Sequence, residues 1–496
     1  MLPACDLRKD GSKKDMNGYE TVIGLEVHVE LATASKMFCG CRTTFGAEPN
    51  TQVCPVCLGM PGVLPVPNRR AVELALRAAL ACESVITQRC RFARKNYFYP
   101  DLPKNYQISQ YEEPIARGGR VLTGEAPVRL TRIHLEEDAG KLVHPTESAA
   151  TSLVDFNRAG IPLLEIVTEP DIRSPEEAEQ FLVSLKQMLE YLEVSDCVME
   201  QGSLRCDANI SVKAEGSDRL GTKVEVKNLN SFRAVRRALA FEQQRQQRLV
   251  REGNAVRQET RLWDEEAQAT VPMRTKEQAH DYRYFPEPDL VPVEVSADWL
   301  NRVRQTVGEL PVRRRERFEK EFGLSAYDAG LITATRATAD YFEECVQRCP
   351  HPKAVANWIT GELAALLKEQ DRTVSDCPVS PASLAELVCL AVSGQVTGTV
   401  AKEVLRESFL TGKPPGAIVR EKNLGRIDDE KALREAVCRA MEAHPQAVND
   451  FLSGKKESLG FLIGQVMRLT GGKANPALVR RLLSEALENN PRSRVQ

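Results

Sequence analysis

The chain reads as an α+β protein: a mixed, largely antiparallel sheet domain over 19–296, an all-α helical domain over 297–410, and a small helical tail domain over 411–496. Three observations predict this. Before residue 230, segments such as TVIGLEVHVEL, RLTRIHLEEDAGKLV, LLEIVTE, GSLRCDANISVKA and TKVEVKNL alternate apolar and polar residues with the period of a strand. After Pro292 the pattern turns almost wholly helical. Near residue 411, the run Thr411-Gly412-Lys413-Pro414-Pro415-Gly416 has the composition of a linker.

Taken in order, residues 1–18 are polar, rich in Lys and Asp, and aperiodic, which predicts a disordered extension. Helices interrupt the strand-like text at 68–83, 174–193 and 231–253. The first opens behind Asn68 and the second on Ser174-Pro175, both sound helix starts. Helical patterns then follow one another at 296–310, 333–349, 352–369 and 380–394, with short turns between them. The last 96 residues carry 17 Lys+Arg against 12 Asp+Glu and end in two amphipathic helices around Gly471-Gly472-Lys473.

Composition narrows the function classes. With 42% hydrophobic and 27% charged residues, the 496-residue chain is long and apolar enough for several packed domains. A formal net charge of −2 gives no global pull onto nucleic acid, so any such binding must come from a local patch. No run approaches the roughly 20 apolar residues of a membrane span, and the start lacks the apolar core of a signal peptide. The expectation is a cytoplasmic protein with no membrane partner.

In a reducing compartment, most of the 14 cysteines read as small buried hydrophobes. Cys39-Gly40-Cys41 and Cys54-Pro55-Val56-Cys57 are different: two close pairs around a short loop can bring four thiolates to one tetrahedral Zn²⁺. Four unrelated buried cysteines is the plainer alternative. With all four positions filled by protein, a zinc here would be structural.

Strand alternation places Glu26, His28 and Glu30 on one face of a strand and Leu25, Val27 and Val29 on the other. Taken alone, a solvent-facing edge, where charge normally sits, is the plainer reading of this strand, and a site the alternative. The device recurs. His134, Glu136 and Asp138 oppose Ile133 and Leu135; Glu165 opposes apolar neighbours; Ser203, Arg205, Asp207 and Asn209 share a face. A sheet face gathering such groups from four strands would suit Mg²⁺ and a nucleotide, since Mg²⁺ takes a few carboxylates together with phosphate oxygens and water. Neither GxxxxGK[ST] nor GxGxxG occurs, so a nucleotide site must be unconventional. The aromatic, proline-rich and basic run Arg94–Gln107 predicts a binding or packing loop.

With ETVIGLEVHVEL, RKNYFYPDLPKNYQISQ, HLEEDAGK, SLVDFNRAGIPLLEIVTEPD, GSLRCDANIS, EVKNLNSF and DYRYFPEPDL in order, the chain resembles the GatB family, the B subunits of aspartyl/glutamyl-tRNA amidotransferases, from about Tyr19 to the GGKANP turn. The resemblance implies a catalytic cradle domain carrying a zinc knuckle at 39–57, and a YqeY-like tail that grips tRNA. It implies ATP-dependent activation of the side-chain carboxylate of Glu-tRNA(Gln) or Asp-tRNA(Asn), followed by amidation. Ammonia would come from the family's A subunit, which is an amidase, with the C subunit clasping the two in a heterotrimer. It assigns Mg²⁺ to His28, Glu136 and Glu165, with Glu26 beside them. Lys95, Lys104 and Glu137 fall to the ammonia passage. Arg205, Asp207 and Asn209 are the candidates for nucleotide or a second metal. The zinc knuckle is present in some members of the family and absent from others, which suits a structural role. Misacylated tRNA is the implied nucleic acid, not DNA. The competing readings are a non-catalytic tRNA scaffold and a free-standing ATP-grasp-like ligase. Acidic faces argue against the first, because carboxylates repel an RNA backbone; the lack of a glutaminase nucleophile, which makes imported ammonia necessary, argues against the second.

Overall fold

The computed structural model describes residues 18–124, 126–144, 151–273, 282–427 and 429–489. The extension expected over 1–18 lies outside them except for Gly18. The chain divides into two compact units, Met1–Val312 and Arg313–Gln496.

The first unit is built on β1 (Tyr19–Glu30), flanked by β3 (Pro162–Thr168) and β4 (Leu204–Ala214). Beyond β3 comes β2 (Val128–Glu137), and beyond β4 come β5 (Val224–Lys227), Thr260–Asp264 and Ala269–Pro272. The pairings are antiparallel except that of β5 with Thr260–Asp264, so the sheet is mixed and largely antiparallel, as its alternation predicts.

Helices α1 (Arg69–Ala81), α2 (Pro175–Tyr191) and α3 (Phe232–Arg251) share a core with the apolar side of this sheet. Leu25, Val27 and Val29 of β1 are fully buried there with Leu74, Phe181 and Leu239. Each such side chain contributes about 1.5–3 kcal/mol on leaving water. Their burial fixes the register, because a one-residue slip would exchange this row for Glu26, His28 and Glu30. The helix starts are capped as their sequences suggest. Asn68 Oδ1 accepts from Arg70 N at 2.9 Å, Ser174 Oγ from Glu177 N at 3.1 Å, and Ser231 Oγ from Ala234 N at 3.0 Å.

Three expectations need correction. Helix Ala297–Gln305 packs Val303, Trp299 and Leu300 into the sheet's core, so the first unit does not end at 296. Its apolar stripe has the same period as the helices that follow, and periodicity does not say which core a stripe joins. The run at 411–416 is not a linker: it holds the end of one helix, a three-residue turn at 412–414 and the start of the next helix. Gly412, at φ 70, ends helix Gly398–Thr411, and Ile418 of the next helix is buried in the same core as Phe409. A separate core, with Leu433, Val437, Leu462, Val466 and Leu482, begins only beyond that helix. Finally, Arg94–Gln107 is not all loop. Ala93–Asn96 and Tyr106–Ser109 are paired strands, joined edgewise by Phe285–Pro286, and the prolines occupy only the connection between them.

Within the second unit, the segment 352–369 is helical throughout, with a π turn at Ile359–Leu363. The final helices Ser458–Leu469 and Pro476–Glu488 flank Gly471 and Gly472, both at positive φ.

Candidate active site

The strands that carry the polar rows are neighbours, in the order β4-β1-β3-β2. Register sets His28 opposite Arg205 on one side and Glu165 on the other, Glu26 opposite Asp207, and Glu165 opposite His134. Adjacent strands lie about 4.8 Å apart, so these pairings put the groups within reach of one another.

His28 Nε2 lies 3.5 Å from Glu165 Oε2 and 3.7 Å from Glu136 Oε1. One ligand atom from each of His28, Glu136 and Glu165 lies within 4.8 Å of the others. Glu136 and Glu165 are buried, and Glu136 accepts from Ser109 Oγ at 3.2 Å. Burial would raise the Glu165 carboxyl, but His134 and His28 outweigh it and hold it well below the usual range. For His28 burial works the other way, and Glu165 and Glu136 hold the imidazole above its ordinary value. Glu26 is raised by burial and by Glu165, Glu225 and Asp207. One imidazole nitrogen and two carboxylates, inside a surplus of negative charge, is a donor set that fits a hard divalent cation.

Asn209 Nδ2 donates to Glu26 Oε1 at 3.1 Å, Asp207 pairs with Lys227 at 2.7 Å, and Arg205 pairs with Asp138 at 2.9 Å. These candidates share the face of the acidic trio but are each engaged with a neighbour.

Asp138 is buried between Arg205 and Arg158, which overcome its burial and keep the carboxyl below the usual value. Glu30 stands behind it and is pushed up to about 8, chiefly by burial and then by Asp138, despite Arg158 at 3.4 Å. A carboxyl raised in the folded state binds its proton more tightly there than in the unfolded chain. Its ionisation therefore costs stability as pH climbs from about 4.3 toward the folded value. Glu30→Gln removes that titration. The variant should gain melting temperature relative to the parent as pH rises from 5 to 8, and parallel melting curves at the two pH values check this.

Glu137 points to the opposite face of β2 from Glu136. It forms a buried ion pair with Lys104, and its Oε1 accepts from Ile108 N at 2.9 Å. Lys95 is not in this pair. Its ammonium lies 4.9 Å from the Tyr282 ring centre: Lys95 is on the strand Ala93–Asn96, whereas Lys104 is in the connection that follows it.

The sulfurs of Cys39, Cys41, Cys54 and Cys57 lie within 4.8 Å of one another. A tetrahedron of 2.3 Å Zn–S bonds spans about 3.8 Å between sulfurs, so the set fits Zn²⁺. Cys57 is brought down to about 5, first by the Cys39 thiol.

The sequence left His134 without a role. Its Nε2 sits 3.1 Å from Glu165 Oε2, where it orients that carboxylate. Lys227, whose pairing with Asp207 balances the acidic face, was also missed. It was visible only as one polar residue in a short alternating run.

Residues 21–301 match the model of the GatB/GatE catalytic domain, and residues 340–487 match the model of the GatB domain. The chain is 55% identical over 474 residues to the B subunit of the aspartyl/glutamyl-tRNA(Asn/Gln) amidotransferase of Moorella thermoacetica, covering 95% of this chain and all of that protein. It is 54% identical to the protein of the same name in Caldanaerobacter subterraneus, with 95% and 99% covered. For the one in Brevibacillus brevis the identity is 52%, with 96% and 100% covered. Similarity at this level runs through every strand that builds the acidic face, and the chain belongs to the GatB family, the B subunits of the tRNA-dependent amidotransferases.

Proposed function

We propose that the chain, in a cytoplasmic heterotrimer with the amidase (A) and clasping (C) subunits of the amidotransferase, activates the side-chain carboxylate of Glu-tRNA(Gln), Asp-tRNA(Asn) or both with ATP, and then amidates it. The observation that carries this reading is the convergence of His28, Glu136 and Glu165 from three adjacent strands onto one face. A free carboxylate resists ammonia because its leaving group is poor. Transfer of the γ-phosphoryl group makes an acyl phosphate and releases ADP; ammonia then attacks the acyl carbon and phosphate leaves.

His28, Glu136 and Glu165 would hold Mg²⁺, whose charge offsets that of the transferring phosphoryl group. Glu26, Arg205, Asp207 and Asn209 would place the nucleotide or a second ion. Asp138 holds Arg205 in position, and Lys227 does the same for Asp207. The four cysteines would hold a structural Zn²⁺. Lys104, Glu137 and Lys95 would line the route by which ammonia arrives from the amidase. A pure tRNA clamp has no use for buried carboxylates, which repel phosphate. The experiment is to supply the purified complex with ATP and misacylated tRNA but no ammonia source. A labile phosphorylated tRNA species should accumulate, and its absence under turnover-competent conditions would defeat the reading.

We assign tRNA gripping to the helical tail. Two of its arginines are engaged internally, since Arg434 and Arg481 pair with Glu430 and Glu485. Arg480 is exposed beside them. Because helix Pro415–Glu421 belongs to the preceding core, the deletion that respects the packing removes 426–496 rather than 411–496. It should raise KM for Glu-tRNA and lower the salt slope of log K by roughly 0.7–0.9 for each phosphate contact removed, with glutaminase activity retained. An unchanged KM and slope would show that the tail is not the clamp.

A further inference from the structure

A cavity of about 170 Å³ lies between the four-cysteine loop and the ion pair of Lys104 with Glu137. Its lining includes Cys39, Cys57 and Met60 from the loop, with Lys36 just before it, Lys104 from the hairpin connection and Glu137 from the end of β2. The approach across it is close. Gly59, in the turn immediately after Cys57, has φ +66, and a Cβ built there would fall 2.2 Å from Lys104 Cγ. The methylene stem of Lys104 therefore occupies the space that a side chain at 59 would need.

The loop is in turn tied to the segment 156–160, just before β3. Lys36 is fully buried, with Nζ 3.7 Å from Cys57 Sγ and 3.3 Å from Phe156 O. A buried ammonium needs a counter-charge, and the cysteine cluster is what it faces. Gly160 closes the arrangement: a Cβ there would lie 3.5 Å from both Cys57 Cβ and Lys36 Cδ and 3.9 Å from Glu137 Oε2. Met37 N donates to Gly160 O at 2.7 Å.

We propose that the four-cysteine loop forms one wall of the ammonia route and that its Gly59 turn positions Lys104 against Glu137, so that the ion held by the cysteines governs how tightly ammonia is delivered. This rests on the reading of Lys104 and Glu137 as that route. Gly59 and Lys36 are positioning residues on this account, acting through Lys104 and Cys57.

The test uses the full heterotrimer, with zinc measured by elemental analysis, backbone hydrogen exchange across 102–109, and glutamine consumed per amide formed. Gly59→Ala keeps all four cysteines and should retain zinc, yet speed exchange across 102–109. It should also raise glutamine consumption per amide by about 10-fold, since a displacement of about 1 Å at a positioned group is costly. Gly46→Ala is the control. It lies in the same loop with φ +77 and open space around its Cβ, so it carries the strain without the steric clash and should change neither readout. Stripping zinc from the parent should reproduce the Gly59→Ala changes.

Unchanged exchange across 102–109 after zinc removal overturns the proposal. So does faster exchange with an unchanged glutamine ratio while Glu137→Gln raises that ratio. If Glu137→Gln leaves the ratio unchanged as well, the failure lies in the ammonia-route reading itself, and the proposal falls with it.

Discussion

Replacing His28 with alanine, or Glu136 with glutamine, is expected to remove ATP-dependent activation of the tRNA-linked carboxylate while leaving tRNA affinity close to that of the parent. Both residues belong to the trio whose donor atoms converge within 4.8 Å. A metal ligand contributes several kcal/mol of charge stabilisation in phosphoryl transfer, and about 4 kcal/mol corresponds to a ~10³-fold loss in rate. Glutamine is chosen at 136 because Glu136 is buried and accepts from Ser109, so truncation to alanine would add a cavity to the loss of charge. His28 is more open, and alanine is tolerable there. The measurement is tRNA-dependent ADP formation by the reconstituted complex, with glutaminase activity as the control for assembly. Parent-like ADP formation by either variant at ordinary Mg²⁺ would overturn the metal assignment.

Much of this site was legible because strand alternation is a two-state code. Once Leu25, Val27 and Val29 are assigned to the core, Glu26, His28 and Glu30 have only one face left. The same reasoning separated Glu136 from Glu137 and put Arg205, Asp207 and Asn209 together. Alternation is local, however, and pairing is not. That β1 lies between β3 and β4, with more than 130 residues of chain between β1 and β3, follows from tertiary packing that no window of sequence contains.

The misses have the same origin. His134 stood on a polar face, but its partner Glu165 is across a strand boundary, so nothing local marked it as the residue that orients the Glu165 carboxylate. Lys95 and Lys104 sit in one basic run, which hides that the first is on a strand and the second in the connection after it. The boundaries at 296 and 411 failed because helical period and Pro/Gly content describe a helix and its ends, not the core it joins. Val303 and Ile418 decide those questions by where they are buried. The family resemblance supplied roles that residue patterns alone left open, above all for Lys104 and Glu137.

Glu137→Gln should separate the two halves of the reaction. Its carboxylate accepts from Ile108 N and pairs with Lys104, and both side chains are nearly inaccessible, at 4% and 8%. Glutamine keeps the volume and one acceptor oxygen but removes the charge, leaving the Lys104 ammonium buried without its partner. Breaking a buried pair in this way costs about 3–5 kcal/mol, enough to move Lys104 out of the cavity lining. On the other face of the same strand, Glu136 and its neighbours keep their contacts, so formation of the activated species should continue. Glutamine-dependent amidation should therefore fall by at least ~10-fold more than amidation supported by added ammonium salt, a difference of about 1.4 kcal/mol in the delivery step alone. The sign matters more than the size: ammonium salt reaches the activated carboxylate from solvent and does not need the passage. Rates with the two nitrogen donors, measured on the same preparation with ADP formation as reference, decide it. Equal losses with both donors would remove Glu137 from the ammonia route, and loss of ADP formation would place it with Glu136 in the activation step instead.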